Sequence, residues 1–557
     1  MAARGRLLGP QELLAEVAQR FLQLRQRGHD VPPRHREVKT ALAWSYEQLP
    51  PAAMTLFARL SIFPGTWESE AALAVCDLDD LGRAAIFEGL ELLLDHSLLY
   101  QQSGAGHVRL GMLATVREFA GAVLNERGEL PQLQERLLRY CLSLAEQARQ
   151  EMAYGPGLAG WIARLTAESE LMRAALEHAL ADRDTVRGLR LASALRVFWY
   201  TRGRLREGRG WLERFLQLAA THDSRLAPSL HATVLDDAAL LAWRQSDYRQ
   251  AEQWGEQALG LYREDKNTLG EARVLMHLGL FAFDLGATEQ ARIRYEASLP
   301  LYRSLGNQAD AVAVMHNLAN LYNHLNDAER ALPLYDECLT FYERTADRSG
   351  VGLISLGMGA IYRDQGDLTR ATLAFERSLA LAGELGDDWS AAVAELNLGN
   401  LATDQGDYQA GRQWLGAALA QFERIGDQQM ISTTQGQLGD LELLAGDVAA
   451  AIGLFRQCLM LASAIEYQHG VAGGLEGLAG CAAVEQPLLA ARLLGCAATI
   501  RSATNVPVPL ADQPRYERIV EISRQHSEPA AWATAWEAGR ALTAVRGVAL
   551  ALSGVRA

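Results

Sequence analysis

The 557-residue sequence is long enough for several domains, and 49% apolar with 22% charged residues is an ordinary globular balance. With 53 basic against 67 acidic residues the net charge is −14, which disfavours wide non-specific contact with nucleic acid, because such binding depends on neutralising phosphates. Six cysteines (Cys76, Cys141, Cys338, Cys458, Cys481, Cys496) form no CxxC pair and no zinc spacing, the first 24 residues carry no signal-peptide pattern, and no run approaches a membrane span. A reduced, cytoplasmic chain with no membrane partner is expected.

In chain order, residues 1–36 hold one helical stretch, Gln11 to Gln26, ended by Gly28 and Pro32-Pro33. They read as the remnant of a segment that follows some larger domain. Residues 37–127 have another grammar. Val38, Leu42 and Tyr46 suggest one helix, and Met54, Phe57 and Leu60 a second that starts at Pro51, where a first turn tolerates proline. A third falls near Glu68–Cys76 and a fourth over Arg83–Asp95. Ser97–Gln102 and His107–Gly111 then flank a Ser-Gly-Ala-Gly loop as a hairpin, and a helix follows from Leu113 to Asn125. Helices followed by a hairpin predict a winged helix. Between Glu37 and Asn125, however, five basic residues face eleven acidic ones. The fourth helix, which would enter a major groove, offers only Arg83 against Glu88, Glu91 and Asp95, where base and phosphate readout calls for Arg, Lys, Asn or Gln. The acid balance argues against direct nucleic-acid binding and for packing on protein.

Residues 128–232 read as four helices of a linker or N-terminal cap. From 233 to 486 a pattern recurs every forty residues. Polar breaks fall at Ser246-Asp247, Gly286-Ala287, Asn326-Asp327, Gly366-Asp367, Gly406-Asp407 and Gly446-Asp447. Four residues after each break stands Ala251, Ala291, Ala331, Ala371, Gly411 or Ala451, and four further on Tyr295, Tyr335, Phe375 and Phe455 keep the frame. Such a register marks a solenoid, whose units bury their apolar faces only by stacking. Helix A of each unit carries Leu278-Gly279, Leu318-Ala319, Met358-Gly359, Leu398-Gly399 or Leu438-Gly439, and helix B answers with the aromatic. This is the tetratricopeptide arrangement, here with a period longer than the usual ~34 residues, so helix B or its connection is expected to be extended. Each Gly-Asp break predicts a left-handed helix end followed by an N-cap. Residues 487–557 read as a helical C-terminal cap, where Trp532 and Trp536, four apart, fit helix packing.

The stretches "RHREVKTALAWSYEQLPPAAMTLFARLSIFPGTWESEAALAVC", "LLDHSLL", "MLATVREFA" and "WIARLTAESELMRAALEHAL" occur here in order. Together with "AARLLGCAATIRSATNVPVPLADQPRYERIVEISRQHSEPAAWATAWEAGRALT", they resemble the region after the nucleotide-binding core in bacterial STAND (NB-ARC) ATPase regulators of the LuxR and antibiotic-regulator type. The resemblance implies an all-α chain: a winged helix with a small hairpin, then tetratricopeptide-like repeats. Two departures stand out. Neither Lys39 nor Lys266 lies in a GxxxxGK[ST] segment, so the sequence carries no P-loop. Where the family has a Met-His-Asp triplet near the nucleotide, this sequence has Met112, Leu113 and Ala114. In relatives a LuxR-type helix-turn-helix can follow; the sequence reaches Ala557 without one.

In tetratricopeptide arrays helix A lines the concave surface. The positions flanking the Leu-small pair are therefore the candidate ligand groove: Arg273, His277 and Leu280; His316, Asn317, Asn320 and Asn323; Arg363; Asn397 and Asn400; Gln437 and Asp440. The Asn-Leu-small-Asn spacing at 317/320 and 397/400 places two amides on one helical face, and an amide donates and accepts at once, as an extended peptide backbone requires. The alternative is that these side chains are solvated or bond to neighbouring repeats. No HExxH, GxSxG or Cys–His arrangement occurs, so no catalytic, cofactor or metal site is expected. The expectation is a non-enzymatic sensor that binds a peptide, a partner protein or a small effector and acts with an ATPase on another chain or encoded upstream. The alternatives are a DNA-binding regulator acting through the winged helix and a fragment of an ATP-dependent regulator.

Overall fold

The computed structural model describes residues 38–555 apart from 79–80, 105–106, 155–157, 223–225, 246 and 505. The segment expected over 1–36 and the first residue of the Ser246-Asp247 break lie outside them. The chain divides into one unit ending at Asp247 and another beginning at Tyr248.

The first unit opens with a winged helix: α1 (Val38–Glu47), α2 (Pro51–Leu60), β1 (Thr66–Trp67), α3 (Ser69–Cys76), α4 (Gly82–Asp95), β2 (Tyr100–Gly104), β3 (His107–Gly111) and α5 (Ala114–Arg127). Its sheet has the order β1-β3-β2, all antiparallel, with Tyr100 opposite Gly111 and Thr66 also opposite Gly111. Leu56, Phe57, Leu60, Phe63, Trp67, Val75, Ile86 and Leu93 fill the core, where Phe63 and Trp67 stack at 4.9 Å. Two details differ from the sequence reading. Strand β1 is two residues long, too short for alternation to betray it. The first hairpin strand starts at Tyr100 rather than Ser97, because Ser97 takes a left-handed φ of 57° and Leu98 N–H closes on Leu93 O at 2.9 Å, ending α4.

The region beyond is more broken than four helices. Among the described residues up to 221 there are six: Leu130–Tyr154, Leu158–Ala167, Ser169–Ala181, Thr185–Ala194, Arg196–Thr201 and Leu205–Thr221. The stripe Trp161, Leu165, Glu168, Met172 does not run along one helix, because the chain turns at Glu168, whose carboxylate is buried and bonded to Arg109 at 2.7 Å. At the next break Arg183 takes a φ of 59° and the Asp184 carboxylate caps the following helix at Arg187 N–H, 3.1 Å. One further helix, Pro228–Arg244, completes the unit.

The second unit is the solenoid. Its helix pairs include Thr268–Asp284 with Thr288–Ser304, Gln308–His324 with Ala328–Arg344, Arg348–Asp364 with Leu368–Leu385, Asp388–Asp404 with Tyr408–Ile425, and Gln428–Ala445 with Val448–Ala464. Helices A and B are both 17 or 18 residues long. The long period is therefore shared by both, not confined to helix B or its connection. The breaks work as their chemistry requires. Gly366 takes a φ of +75°, Asp367 N–H closes back on Tyr362 O at 2.8 Å, and the Asp367 carboxylate caps helix B at Arg370 N–H, 3.0 Å. Asn326-Asp327, Gly406-Asp407 and Gly446-Asp447 repeat this. Between units Lys266 and Ala346 adopt the same left-handed conformation without glycine, each before an Asn or Asp cap.

The small-residue frame explains why the helices stand so close. A Cβ added at Gly359 would lie 2.5 Å from the Phe375 ring, and one at Gly279 would lie 2.6 Å from Tyr295. Phe375, Tyr295, Tyr335 and Phe455 are all buried, as are Cys338 and Cys458, and all six cysteines are free thiols. The unit closes with Gln468–Ala482, Pro487–Thr504, a 3-10 turn at Leu510–Asp512, Gln513–Gln525, Pro529–Arg540 and Ala544–Gly554. In that stretch Trp532 and Trp536 stack at 5.1 Å, and the Trp532 indole donates to Ser523 Oγ at 3.0 Å. Among the described residues no helix is long and apolar enough to cross a membrane.

Candidate ligand groove

The candidate groove residues all lie on the first helices of their pairs, and the structure divides them into three groups. Arg273 is turned onto the preceding helix, Tyr248–Glu264, donating to the Tyr262 hydroxyl at 2.7 Å; His277 is half-buried on its own helix. One helix pair on, His316 Nε2 meets Asn320 Nδ2 at 3.2 Å, and the Tyr335 hydroxyl donates to Asn320 Oδ1. Both ends of that amide are thereby engaged within the repeat. Burial pushes the His316 pKa down to about 4, so its ring stays neutral and can accept. Asn317 and Asn323 are half-buried with no side-chain hydrogen bond among those described. The Asn397 amide donates to Val393 O on its own helix at 2.8 Å, Asn400 is buried, and Gln437 is half-buried.

The third group is a charge network that joins two candidates, Arg363 and Asp440, through residues the sequence did not single out. Arg363 is bidentate to Asp404 on the next first helix, at 2.6 and 3.2 Å, and reaches Asp512 at 3.4 Å. Arg515 bridges Asp512, at 3.4 Å, and Asp440, at 3.0 Å. The Ala511 N–H donates to Asp364 Oδ1 at 3.2 Å. Four carboxylates thus surround two guanidiniums. Burial dominates the Asp440 carboxyl and pushes it up to about 7, with Arg515 opposing and Asp512 and Glu476 adding to the rise. Burial likewise raises Asp364, against the Ala511 N–H and Arg363. For Arg363 burial works against the charge, but Asp404, Asp512 and the Asp364 beside it outweigh that and hold its pKa above the ordinary value.

Residues 506–512 are held against this face by further contacts. Val506 N–H closes on Arg501 O at 3.1 Å, Arg501 reaches Pro507 O at 3.4 Å, and the same guanidinium pairs with Glu476 at 2.6 and 2.7 Å. Asp364 and Asp404 share one register position of the forty-residue frame, at the end of helix A, and Arg363 precedes it. That spacing was readable. Asp512 and Arg515 were not, since Arg363 and Asp512 are 149 residues apart in the chain. A cleft of about 390 Å³ opens elsewhere in the repeats, beside Arg303, Met315, Phe341 and Arg344. It is lined by two second helices and by the first helix Gln308–His324 between them, and contains none of the candidate residues.

Three arginines of the winged helix are engaged by protein groups. Arg59 is 2% exposed, pairs with Glu129 at 2.7 Å and donates to Cys76 O at 3.0 Å. Arg109, on the wing strand β3, binds Glu168 at 2.7 Å and Thr66 O at 2.6 Å, and Arg117 donates to Pro64 O. On α4 the exposed side chains are Arg83, Ala84, Glu88, Glu91 and Asp95, and Arg83 lies over the Phe87 ring at 5.3 Å. Met112 is buried and Leu113 is 49% exposed at the start of α5.

Known proteins match this architecture in pieces. The family model "Tetratricopeptide repeat" matches residues 270–344, 310–384 and 390–464, and the model "Winged helix-turn-helix domain" matches residues 49–125. Candidate HTH-type transcriptional regulators of Mycobacterium bovis and Mycobacterium tuberculosis are 29% identical over 241 residues, 43% of this chain and 27% of theirs. The chain spans about a quarter of the length of these curated relatives. Among solved structures, the STAND protein with a tetratricopeptide repeat sensor from Pyrococcus horikoshii is similar at 13% identity and a TM-score of 0.47, over 83% of this chain and 71% of that one. The apo quorum sensor NprR of B. thuringiensis is similar at 12% identity and a TM-score of 0.44, over 70% of this chain and 98% of that one.

Proposed function

We propose that this chain is a non-enzymatic interaction and sensing module of a STAND-type regulator, in which the row of first helices from Arg273 to Asp440 binds a peptide or a segment of a partner protein. The observation that carries this reading is the way residues 506–512 lie on that row. Backbone is read by a carboxylate (Ala511 N–H to Asp364, 3.2 Å) and a side-chain carboxylate by an arginine (Asp512 to Arg363, 3.4 Å). Such groups suit a polypeptide ligand better than a small apolar effector. On this reading Asn317, Asn323, Asn397, Asn400 and Gln437 supply further amide contacts, with His277, His316 and Asn320 beside them. The module works in the cytoplasm and passes occupancy through the winged helix (37–127) and the linker (128–232) to an ATPase domain. Repeats over 233–486 and a cap over 487–557 complete the division. The test is selection of random twelve-residue displayed peptides on the immobilised chain. Enrichment that is lost in an Asn317→Ala/Asn397→Ala/Gln437→Ala variant supports the reading; enrichment indifferent to those residues, or none, overturns it.

A second reading, direct DNA binding through the winged helix, is favoured by the match over residues 49–125 and by the relatives named as HTH-type regulators. The internal use of Arg59, Arg109 and Arg117 and the acidic face of α4 oppose it. A mobility shift at low salt separates the two: retention of generic duplex DNA that is abolished by Arg83→Glu would establish the second reading.

A further inference from the structure

We propose that the groove carries its own occupant: residues 506–516, whose Asp512 and Arg515 fill a two-sided charge subsite made by Arg363 and Asp440, and that an outside ligand displaces this segment by presenting an acidic and a basic side chain one helical turn apart. This rests on the reading of the first-helix row as a peptide-binding face and names both its ligand chemistry and its regulation.

The segment meets the row at both ends of the network. Asp512 approaches Arg363 at 3.4 Å, and Arg515, three residues later, approaches Asp440 at 3.0 Å. Because 512 and 515 span the start of a helix, Gln513–Gln525, their side chains fall on one face. The groove offers the complement: a guanidinium on the helix Arg348–Asp364 and a carboxylate on the helix Gln428–Ala445, with Asp404 pairing Arg363 from the helix between them. Tyr516 packs on the apolar cluster at the end of the solenoid, but few other forces hold residues 507–512. Pro507, Pro509 and Leu510 are exposed, and the 3-10 turn Leu510–Asp512 has no buried residue. What fixes it is polar: the Ala511 N–H on Asp364, the Pro507 carbonyl within reach of Arg501, and the paired charges.

A segment joined to its own site competes at an effective concentration of about a millimolar. A free peptide of equal intrinsic affinity is therefore excluded until it approaches that level, and its apparent affinity falls by the fraction of chains that are open. An outside ligand with the same charge pair and further contacts along Asn397, Asn317 and His277 would overcome this competition. The ion pairs are mostly buried, so the cost of desolvating the charges offsets much of their attraction, and the occupant is held firmly enough to exclude weak ligands and loosely enough to leave.

The test uses the full chain and a fluorescently labelled peptide of residues 506–516. In an Asp512→Asn/Arg515→Gln chain, whose own segment has lost both charges, the peptide is expected to bind at least about tenfold more tightly than to the wild-type chain. A peptide carrying the same two substitutions is expected to lose that gain. Equal affinity for both chains, or indifference to the peptide's charges, overturns the proposal. If the variant loses its helical circular dichroism, the wild-type chain is mixed with millimolar peptide and followed by hydrogen exchange. Faster exchange at residues 506–512, Ala511 included, with no change over 308–324 supports the proposal, and unchanged exchange overturns it. Selected peptides that bind the wild-type groove while the 506–516 peptide fails on the opened chain would remove the occupant and leave the peptide-binding reading standing. If both fail, both readings fall.

Discussion

Replacing Gly359 and Gly416, two helical glycines of neighbouring repeats, by alanine should change stability in opposite directions. At Gly359 the new Cβ would stand 2.5, 2.8 and 3.0 Å from three carbons of the Phe375 ring, where carbon–carbon contacts are ordinarily about 3.5–4.0 Å. The ring has to retreat by roughly an ångström, yet it is fully buried against Leu356, Ala371, Ala394, Leu398 and Leu401. Overpacking of that kind costs about 1–3 kcal/mol, while alanine in place of helical glycine returns about 0.5–1 kcal/mol. The net expectation is a loss centred on about 1 kcal/mol and reaching roughly 2.5 kcal/mol. At Gly416 a Cβ meets nothing within 4 Å, so only the helix term acts and the chain gains about 0.5–1 kcal/mol. Urea denaturation followed by circular dichroism reads both as shifts of the midpoint at unchanged slope. A Gly359→Ala chain as stable as wild type would refute the claim that the glycine–aromatic approach sets the spacing between helices A and B.

Other consequences follow from the buried charges. Burial pushes the Asp440 carboxyl up to about 7, well above the ordinary carboxylate range; a raised carboxyl adds stability at low pH that is lost as the pH climbs from about 4 through about 7. The stability of wild type relative to Asp440→Asn should therefore fall between pH 5 and pH 8, measured by urea midpoints at both, and a difference independent of pH would contradict the burial of that carboxyl. Removing Arg59, which is 2% exposed and holds Glu129 and Cys76 O, strips the buried Cys76 carbonyl of its donor and leaves Glu129 only Arg127, at 3.1 Å, so Arg59→Ala should destabilise the winged helix by about 1–3 kcal/mol. Thermal unfolding of the variant should show it, and a loss under 1 kcal/mol would mean the pair is dispensable. Phe375→Ala should cost about 3–5 kcal/mol through the cavity it leaves, read by the same urea titration.

The repeats were legible because the same small and aromatic positions recur in register, so each unit confirms the next, and the winged helix was legible because Pro51, the apolar spacing and the Gly-rich loop each mark a boundary. What escaped has a physical reason in each case. Strand β1 is Thr66–Trp67 alone, held by pairing with β3 and not by any pattern of its own. The turn at Glu168 escaped because a glutamate on an amphipathic stripe looks like any helical residue, and only its contact with Arg109 buries it. In the groove, Arg363 and Asp440 were marked by position on helix A, but Asp512 and Arg515 lie in a stretch whose sequence says only that it is proline-rich. Their role exists only after the chain has brought residues 149 positions apart into contact. Asn320 shows the converse: its spacing suggested an outward amide, and the Tyr335 hydroxyl and His316 engage it within the repeat.

The central claim is that ligands dock on the row of first helices. A photo-crosslinking side chain at Asn397, on that row, and another at Leu373, which is 62% exposed on a second helix, test it directly with a peptide selected on the wild-type chain. Crosslinking from position 397 that excess unlabelled peptide suppresses is expected, with none from 373. Equal crosslinking from both positions, or crosslinking from 373 alone, would contradict it.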